Sequence, residues 1–334
     1  MNGFSYPKPS VTDLAKGKKS VLLAGCGGGG DIMQTIPVMN YLKKLGVEQF
    51  CLVDIGCKWW EFHGEMALGC EVLDLDWLSP CERLSENAAL ISKETKLTAG
   101  HGKGEPLHES LIANVVDVPI ATVSMRGGAV GVKAGLQTLI DKFQCELFIT
   151  CDVGADAFFT GTETQVQSPL VDAYSIWCAS ELNIPGLYCV SGFGGDAELP
   201  MEHLIRNMSL AMKQEGYLGA NGLTQEDVVM LGKILEYIPG EEVEKWPYEA
   251  ARGNMGTFYC KRLWSVEMTP AAAVTFFFDP DVLWKVNPII GAIAGTKTLE
   301  EAENLIMDRF NLFPESRLPV TIVAPTPPQV PDGK

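Results

Sequence analysis

The sequence predicts an α/β fold, a doubly wound and mostly parallel sheet with a C-terminal α+β extension, and three observations carry that prediction. Short continuous apolar runs alternate with longer segments of helical apolar spacing over the first two-thirds of the chain. Three of those runs end in loops that combine glycine with carboxylates. After about Gly216 the alternation gives way to a mixed pattern.

Taken in order, Ser20–Gly25 is apolar without polar alternation, as expected of a strand buried on both faces. Residues 31–45 follow, with Ile32, Met33, Ile36, Met39, Leu42 and Leu45 mostly at helical spacing and Gly46 as the stop. Gln49–Ile55 is the next strand, and 71–75 and 119–124 read as further strands. Residues 129–143 read as a helix, 146–151 as a strand, 168–182 as a helix, Gly186–Ser191 as a strand and 200–213 as a helix. Repeated strand–helix units of this kind give a Rossmann-like parallel sheet with helices on both faces. Beyond it, 224–237 is a helix capped by Thr224, 257–266 and 272–278 are strands, Leu299–Phe310 is a helix, and the proline-rich tail is extended. The expected division is a domain over 1–215 that carries the site loops, and a lobe or sheet extension over 216–334.

Composition narrows the function classes. Lys and Arg total 26 against 42 for Asp and Glu, a net charge of −16. Such a surface repels phosphate backbones and anionic lipid, so neither nucleic acid nor membrane is an expected partner. The ten cysteines include no C-x-x-C pair and several lie in apolar runs, which fits free thiols in a reducing compartment. With no apolar leader at the N-terminus and no span-length apolar run, a cytoplasmic protein is expected. A small-molecule ligand is the expected partner, and a homo-oligomer is compatible with this reading.

Three loops carry the candidate chemistry. The first is Gly25-Cys26-Gly27-Gly28-Gly29-Gly30-Asp31. Glycines between a strand and a helix let a ligand approach the main-chain N–H groups, so Gly28, Gly29 and Gly30 are expected to hold an oxyanion. Gly25, Gly27 and Gly30 also satisfy G-x-G-x-x-G, and Asp54 ends the next strand where a ribose-binding carboxylate belongs, which supports an NAD or S-adenosyl-methionine enzyme as one alternative. Asp31 would stand beside a bound phosphate, and that repulsion calls for a bridging cation or an uncharged ligand group.

The second loop runs from Asp152 and Asp156 through Glu163 to Ser168-Pro169 and Asp172, and the third is Gly192-Phe-Gly194-Gly195-Asp196-Ala197-Glu198. All three follow strands, whose C-terminal ends line the crevice of an open α/β sheet. Asp31, Asp152, Asp156 and Asp196 are therefore expected to hold Mg²⁺ or Mn²⁺, with Glu163 or Asp172 as acid/base. Ser168 reads as a helix cap, with Pro169 at the first helical position. Gly27, Gly194 and Gly195 join the ligand-binding backbone, and Arg126, in a loop after another strand, is the cation placed to neutralise an anionic ligand. There is no G-x-S-x-G elbow and no G-x-x-x-x-G-K-[ST] loop. The leading expectation is an enzyme acting on a small polar, phosphorylated or nucleotide-like metabolite with a divalent cation. A metabolite-binding module without catalysis is the remaining alternative, since no nucleophile–base pair is evident.

At these loops the chain resembles an uncharacterised domain-of-unknown-function family of archaea and bacteria. The resemblance rests on Gly27-Gly28-Gly29-Gly30-Asp31, on Trp60-Glu61, on Asp152-Val-Gly-x-Asp156 with Ser168-Pro-Leu-x-Asp172-Ala, and on Gly194-Gly195-Asp196 with Glu198-Leu199. It covers roughly the first 200 residues and implies the same fold and site, with no activity attached. It also implies glycine where this chain has Ala155 and Ala197.

Overall fold

The computed structural model describes residues 7–26, 29–61, 68–164, 166–238, 243–259 and 265–318. Its strands are β1 (Ser20–Gly25), β2 (Gln49–Ile55), β3 (Cys57–Glu61), β4 (Leu68–Val72), β5 (Leu78–Arg83), β6 (Ala88–Leu97) and β7 (Ile120–Val123). They continue as β8 (Leu147–Val153), β9 (Gly186–Ser191), β10 (Tyr217–Gly222), β11 (Gly256–Tyr259), β12 (Ser265–Met268) and β13 (Val274–Phe278). Nine of them form one sheet in the order β10-β13-β9-β8-β1-β2-β7-β6-β5. The five central strands, β9 to β7, pair in parallel, and two antiparallel strands extend each flank. The sheet is the α/β architecture that the alternation predicts.

β1 explains why those runs lack polar alternation. Leu22 and Ala24 join one buried cluster while Val21 and Leu23 join another on the opposite face. The first cluster packs under the helices Gly128–Phe143 and Pro169–Glu181, the second under Thr35–Lys44 and Gln225–Tyr237. A strand sandwiched in this way presents an apolar side chain at every position.

Several elements differ from the sequence reading. The strand expected at 71–75 is β4, paired with β3 in a separate hairpin. The strand expected at 257–266 is two, β11 and β12, also a separate hairpin. The segment at 272–278 opens with the 3₁₀ turn Pro270–Ala273 before β13 begins. Strands β3, β5, β6 and β10 have no counterpart in the expectation. β10, Tyr-Leu-Gly-Ala-Asn-Gly, is an edge strand whose glycines and Asn221 carry little strand propensity, and it is held by pairing with β13. Gly27, Gly28 and the proline-rich tail lie outside the described residues. Among the described residues no helix is long and apolar enough to cross a membrane, and the described cysteines are all free thiols.

The strand order fixes where a ligand can enter. From β1 the chain moves outward to β2 and β7, then returns to β8 on the other side of β1. The order reverses between β1 and β8, and the crevice of an open parallel sheet opens at the carboxyl ends of those two strands.

Candidate functional site

The loops after β1, β8 and β9 meet at that reversal point and are stitched to one another. Cys26 N–H donates to Cys151 O at 2.8 Å, Gly154 N–H to Ser191 O at 3.0 Å, and Gly194 N–H to Gly154 O at 2.7 Å. Asp196 accepts from the Asp156 N–H and from the Glu198 N–H, both at 3.1 Å. Glu198 in turn accepts from the Gln167 N–H at 2.5 Å. Together they enclose a cavity of about 30 Å³ lined by Asp31, Trp59, Asp152, Val153, Asp156, Ser168, Asp196, Glu198, Val243 and Glu244. That volume admits an ion with a water molecule, or one polar head group, and the cavity is partly open to solvent.

Two of the lining carboxylates, Asp152 and Asp156, meet a third, Asp172, which lies behind them and does not itself line the cavity. One oxygen each from Asp152, Asp156 and Asp172 lies within 4.8 Å of the other two, and all three residues are buried. Asp152 ends β8 and accepts from the Tyr188 hydroxyl at 2.5 Å. Burial first, then the charge of Asp156, pushes its carboxyl up to about 8. Asp156 accepts from the Ser168 hydroxyl at 3.0 Å. Burial raises its carboxyl too, against the hydrogen bonds that Asp172, Glu198 and Ser168 make to it. Asp172, in the first turn of the helix Pro169–Glu181, is 1% exposed, and no donor among the described residues reaches either of its oxygens. Burial pushes it well above the carboxylate range, and Asp156, Asp152, Asp31 and Glu315 push further in the same direction. Three such groups at close range are compatible with shared protons or with a bound cation.

The glycine loop takes a different role from the one its pattern suggests. Asp54 is turned toward it, but at 0% exposure its Oδ2 accepts from the Gly29 N–H at 3.2 Å, inside the protein where no ribose reaches. Glu244 covers Gly30, because a Cβ placed on that glycine would meet the Glu244 Cδ and Oε1 at 2.3 Å. A carboxylate therefore lies where a cofactor pyrophosphate would, and the loop geometry opposes the NAD or S-adenosyl-methionine alternative.

Four other expected roles are corrected by their surroundings. Glu163 accepts from Thr160 N–H, Thr160 Oγ1 and Thr162 N–H at 2.8–3.1 Å and from Asn207 Nδ2 at 2.7 Å. It staples its own turn and does not line the cavity, so it is not placed as an acid/base. Arg126 pairs with Asp74 at 3.2 Å and stacks near Trp77, away from the cavity. Gly194 and Gly195 shape the third turn; a Cβ on either would strike Met201 or the Gly192 carbonyl, and neither lines the cavity. Ser168 stands at the N-cap position, yet its hydroxyl makes no cap bond and goes to Asp156 instead.

The cap of that helix comes from far along the chain. Glu315 accepts from Leu170 N–H at 3.0 Å and from Val171 N–H at 2.8 Å. No local signal reveals such a partner, because it lies 145 residues away. Burial pushes the Glu315 carboxyl up to about 8 from an ordinary 4.5, although the N–H bonds act in the opposite sense. The folded protein thus keeps a proton that the unfolded chain releases above pH 4.5. The resulting stabilisation is complete below pH 4.5 and is lost as pH rises toward about 8. Glu315→Gln is expected to flatten this slope by up to about 1.4 kcal/mol per pH unit in urea denaturation between pH 5 and 8. Identical slopes for the two proteins would contradict the assignment.

The two alanines noted earlier both sit in left-handed backbone, Ala155 at φ 100° and Ala197 at φ 56°. Glycine adopts this region without the Cβ clash that an L-residue meets there. Ala155→Gly is expected to stabilise the protein by about 0.5–1 kcal/mol, net of the added chain entropy of glycine. A drop in denaturation midpoint would show that the loop does not carry this strain.

A model described as "Protein of unknown function (DUF1152)" matches residues 22–315, well beyond the segment that carries the motifs. No curated protein and no solved structure matches the chain.

Proposed function

The chain belongs to the DUF1152 family, whose description assigns no activity, and from the site alone we propose that it is an enzyme acting on a small polar metabolite with a divalent cation, Mg²⁺ or Mn²⁺. One observation carries the reading: Asp152, Asp156 and Asp172 bring carboxylate oxygens within 4.8 Å of one another, and no donor among the described residues reaches either oxygen of Asp172. Hard cations take such oxygen ligands, and Mg²⁺ combines a few carboxylates with water and substrate. The cation would neutralise the buried charge, polarise a bound substrate oxygen or activate a water. Asp31 and Glu198, which line the cavity beside the triad, are the groups in reach to move a proton. A phosphorylated or nucleotide-like substrate would meet this wall only through the cation, since no lysine, arginine or histidine among the described residues lines the cavity.

The test is direct. Equilibrium dialysis of the metal-stripped protein against Mn²⁺ is expected to give about one tightly held ion per chain. Retention no better than that of a protein lacking the triad would sink the proposal. Turnover separates an enzyme from a binding module. A metabolite that copurifies, identified by native mass spectrometry, should be converted by wild type and not by Asp152→Asn. Binding without conversion, whatever the cation, would favour the module.

A further inference from the structure

The β3–β4 hairpin carries two cysteines beside the cavity wall. Its register sets Cys57 opposite Val72 and Trp59 opposite Cys70, so Cys57, Trp59 and Cys70 share one face and the two cysteines are diagonal neighbours. That face packs inward: Cys57, 2% exposed, belongs to a core cluster and Cys70 packs against the same cluster. The two thiols meet there in a side-chain hydrogen bond. Trp59 adjoins both of them, lines the cavity, and would meet a Cβ on Gly29 at 3.3 Å. The opposite face is anchored to the chain that follows β6. Lys58 donates to Glu105 at 2.9 Å and to the Pro106 carbonyl at 3.1 Å, and Glu71 accepts from the His101 N–H at 3.0 Å. Anchored on both faces, the hairpin keeps the two sulfurs together.

The two cysteines differ in access. Cys70 is partly exposed, whereas Cys57 is enclosed. The hydrogen bond with Cys70 first, then burial, pushes Cys57 well above the ordinary thiol range, so it keeps its proton. An oxidant arriving from solvent therefore meets Cys70 first and leaves Cys57 behind it as the resolving thiol. Other cysteines lack one half of this arrangement. Cys151 and Cys189 also meet, across β8 and β9, but both are buried. Cys81 is partly exposed, but it is set opposite Ile91 rather than a second thiol.

We propose that Cys57 and Cys70 form a redox site, which hydrogen peroxide closes into a disulfide. The Cys70 sulfur attacks one peroxide oxygen, the O–O bond breaks, and Cys70 becomes a sulfenic acid with release of water. The Cys57 sulfur then displaces the hydroxyl from Cys70, and its proton leaves with that hydroxyl as a second water. The two thiols give up two electrons and two protons, and the peroxide takes up both. A small dithiol reverses the step. Because Trp59 adjoins both sulfurs, closure shifts a wall of the cavity and makes the bond a control on the site, whatever ligand that site takes.

Treatment of the folded full-length protein with a small excess of hydrogen peroxide, then alkylation and non-reducing peptide mass spectrometry, tests it. The expected product is a Cys57–Cys70 disulfide, two hydrogens lighter than the reduced chain and reopened by dithiothreitol. Tryptophan emission should change on closure and recover on reduction in wild type, and stay constant in Cys70→Ser. In Cys57→Ser, Cys70 should stop at the sulfenic acid, which dimedone traps. Cys70→Ser alters a partly exposed position and serves as the second variant if Cys57→Ser folds poorly. No loss of hydrogens from the folded chain, a disulfide to any other cysteine, or a Cys57–Cys70 bond that forms only in urea would each overturn the redox site. A disulfide that leaves tryptophan emission unchanged would overturn its control of the cavity wall.

Discussion

Replacing Asp172 by asparagine is expected to raise the stability of the metal-free protein at pH 8 and to abolish its response to Mn²⁺. In wild type the Asp172 carboxyl is enclosed beside Asp152 and Asp156, and no donor among the described residues reaches either of its oxygens. At pH 8 it either holds a proton that it donates to Asp156 or stands as a charge among like charges, and the second costs free energy. Asparagine has the same shape, carries no charge, and offers an N–H₂ group to the neighbouring carboxylates. The gain should be about 1–3 kcal/mol, or roughly 2–8 °C in melting temperature for a chain of this size. Mn²⁺ at about 100 times its dissociation constant should stabilise wild type by about 2.7 kcal/mol and leave the variant unmoved. A variant less stable than wild type, with the Mn²⁺ response intact, would show that Asp172 serves packing and that the cation sits elsewhere. Differential scanning calorimetry with and without Mn²⁺ reads both effects.

Gly154→Ala is expected to be severe, by a different mechanism. Gly154 has φ 121°, a conformation that L-residues rarely adopt. A Cβ there would lie 2.2 Å from Asp196 Oδ2 and 2.5 Å from Asp196 Cβ, so Asp196 would have to leave. With it would go the bonds from the Asp156 and Glu198 N–H groups that hold the second and third loops together. Backbone strain, overpacking and two stranded N–H groups together should cost about 3–5 kcal/mol. Because Asp156 is freed, Mn²⁺ affinity should also fall at least about tenfold. The neighbouring Ala155→Gly acts as the internal control, since it is expected to stabilise the same loop. A Gly154→Ala protein within about 1 kcal/mol of wild type in urea denaturation would mean that Asp196 does not lock the loops.

The parallel core was legible because its physics is local. A strand covered on both faces needs apolar residues at every position, so Ser20–Gly25, Gln49–Ile55 and Gly186–Ser191 announce themselves. Helices such as Leu299–Phe310 carry both their spacing and a capping Thr298 in sequence. The edge strands β5 and β10, and β6 beside β5, were not legible, because they are half-exposed and owe their form to the neighbours they pair with.

The candidate site divides along the same line. The sequence by itself determined that glycine-and-carboxylate loops follow β1, β8 and β9, since a tight turn after a buried strand needs glycine locally. Only the tertiary structure decided which of those carboxylates share a cavity and which hold the backbone. Asp172 and Asp156 meet because a helix start faces a strand end, whereas Glu163, nine positions before Asp172 and equally acidic in sequence, is turned onto Thr160 and Asn207. The glycine loop satisfied a phosphate-binding pattern, and Glu244, more than 200 residues later, covers it. Glu315 caps a helix whose own serine is drawn to Asp156. A hydrogen bond is set by distance in space, and partners this far apart in the chain are brought together only when the sheet order places their loops on one edge.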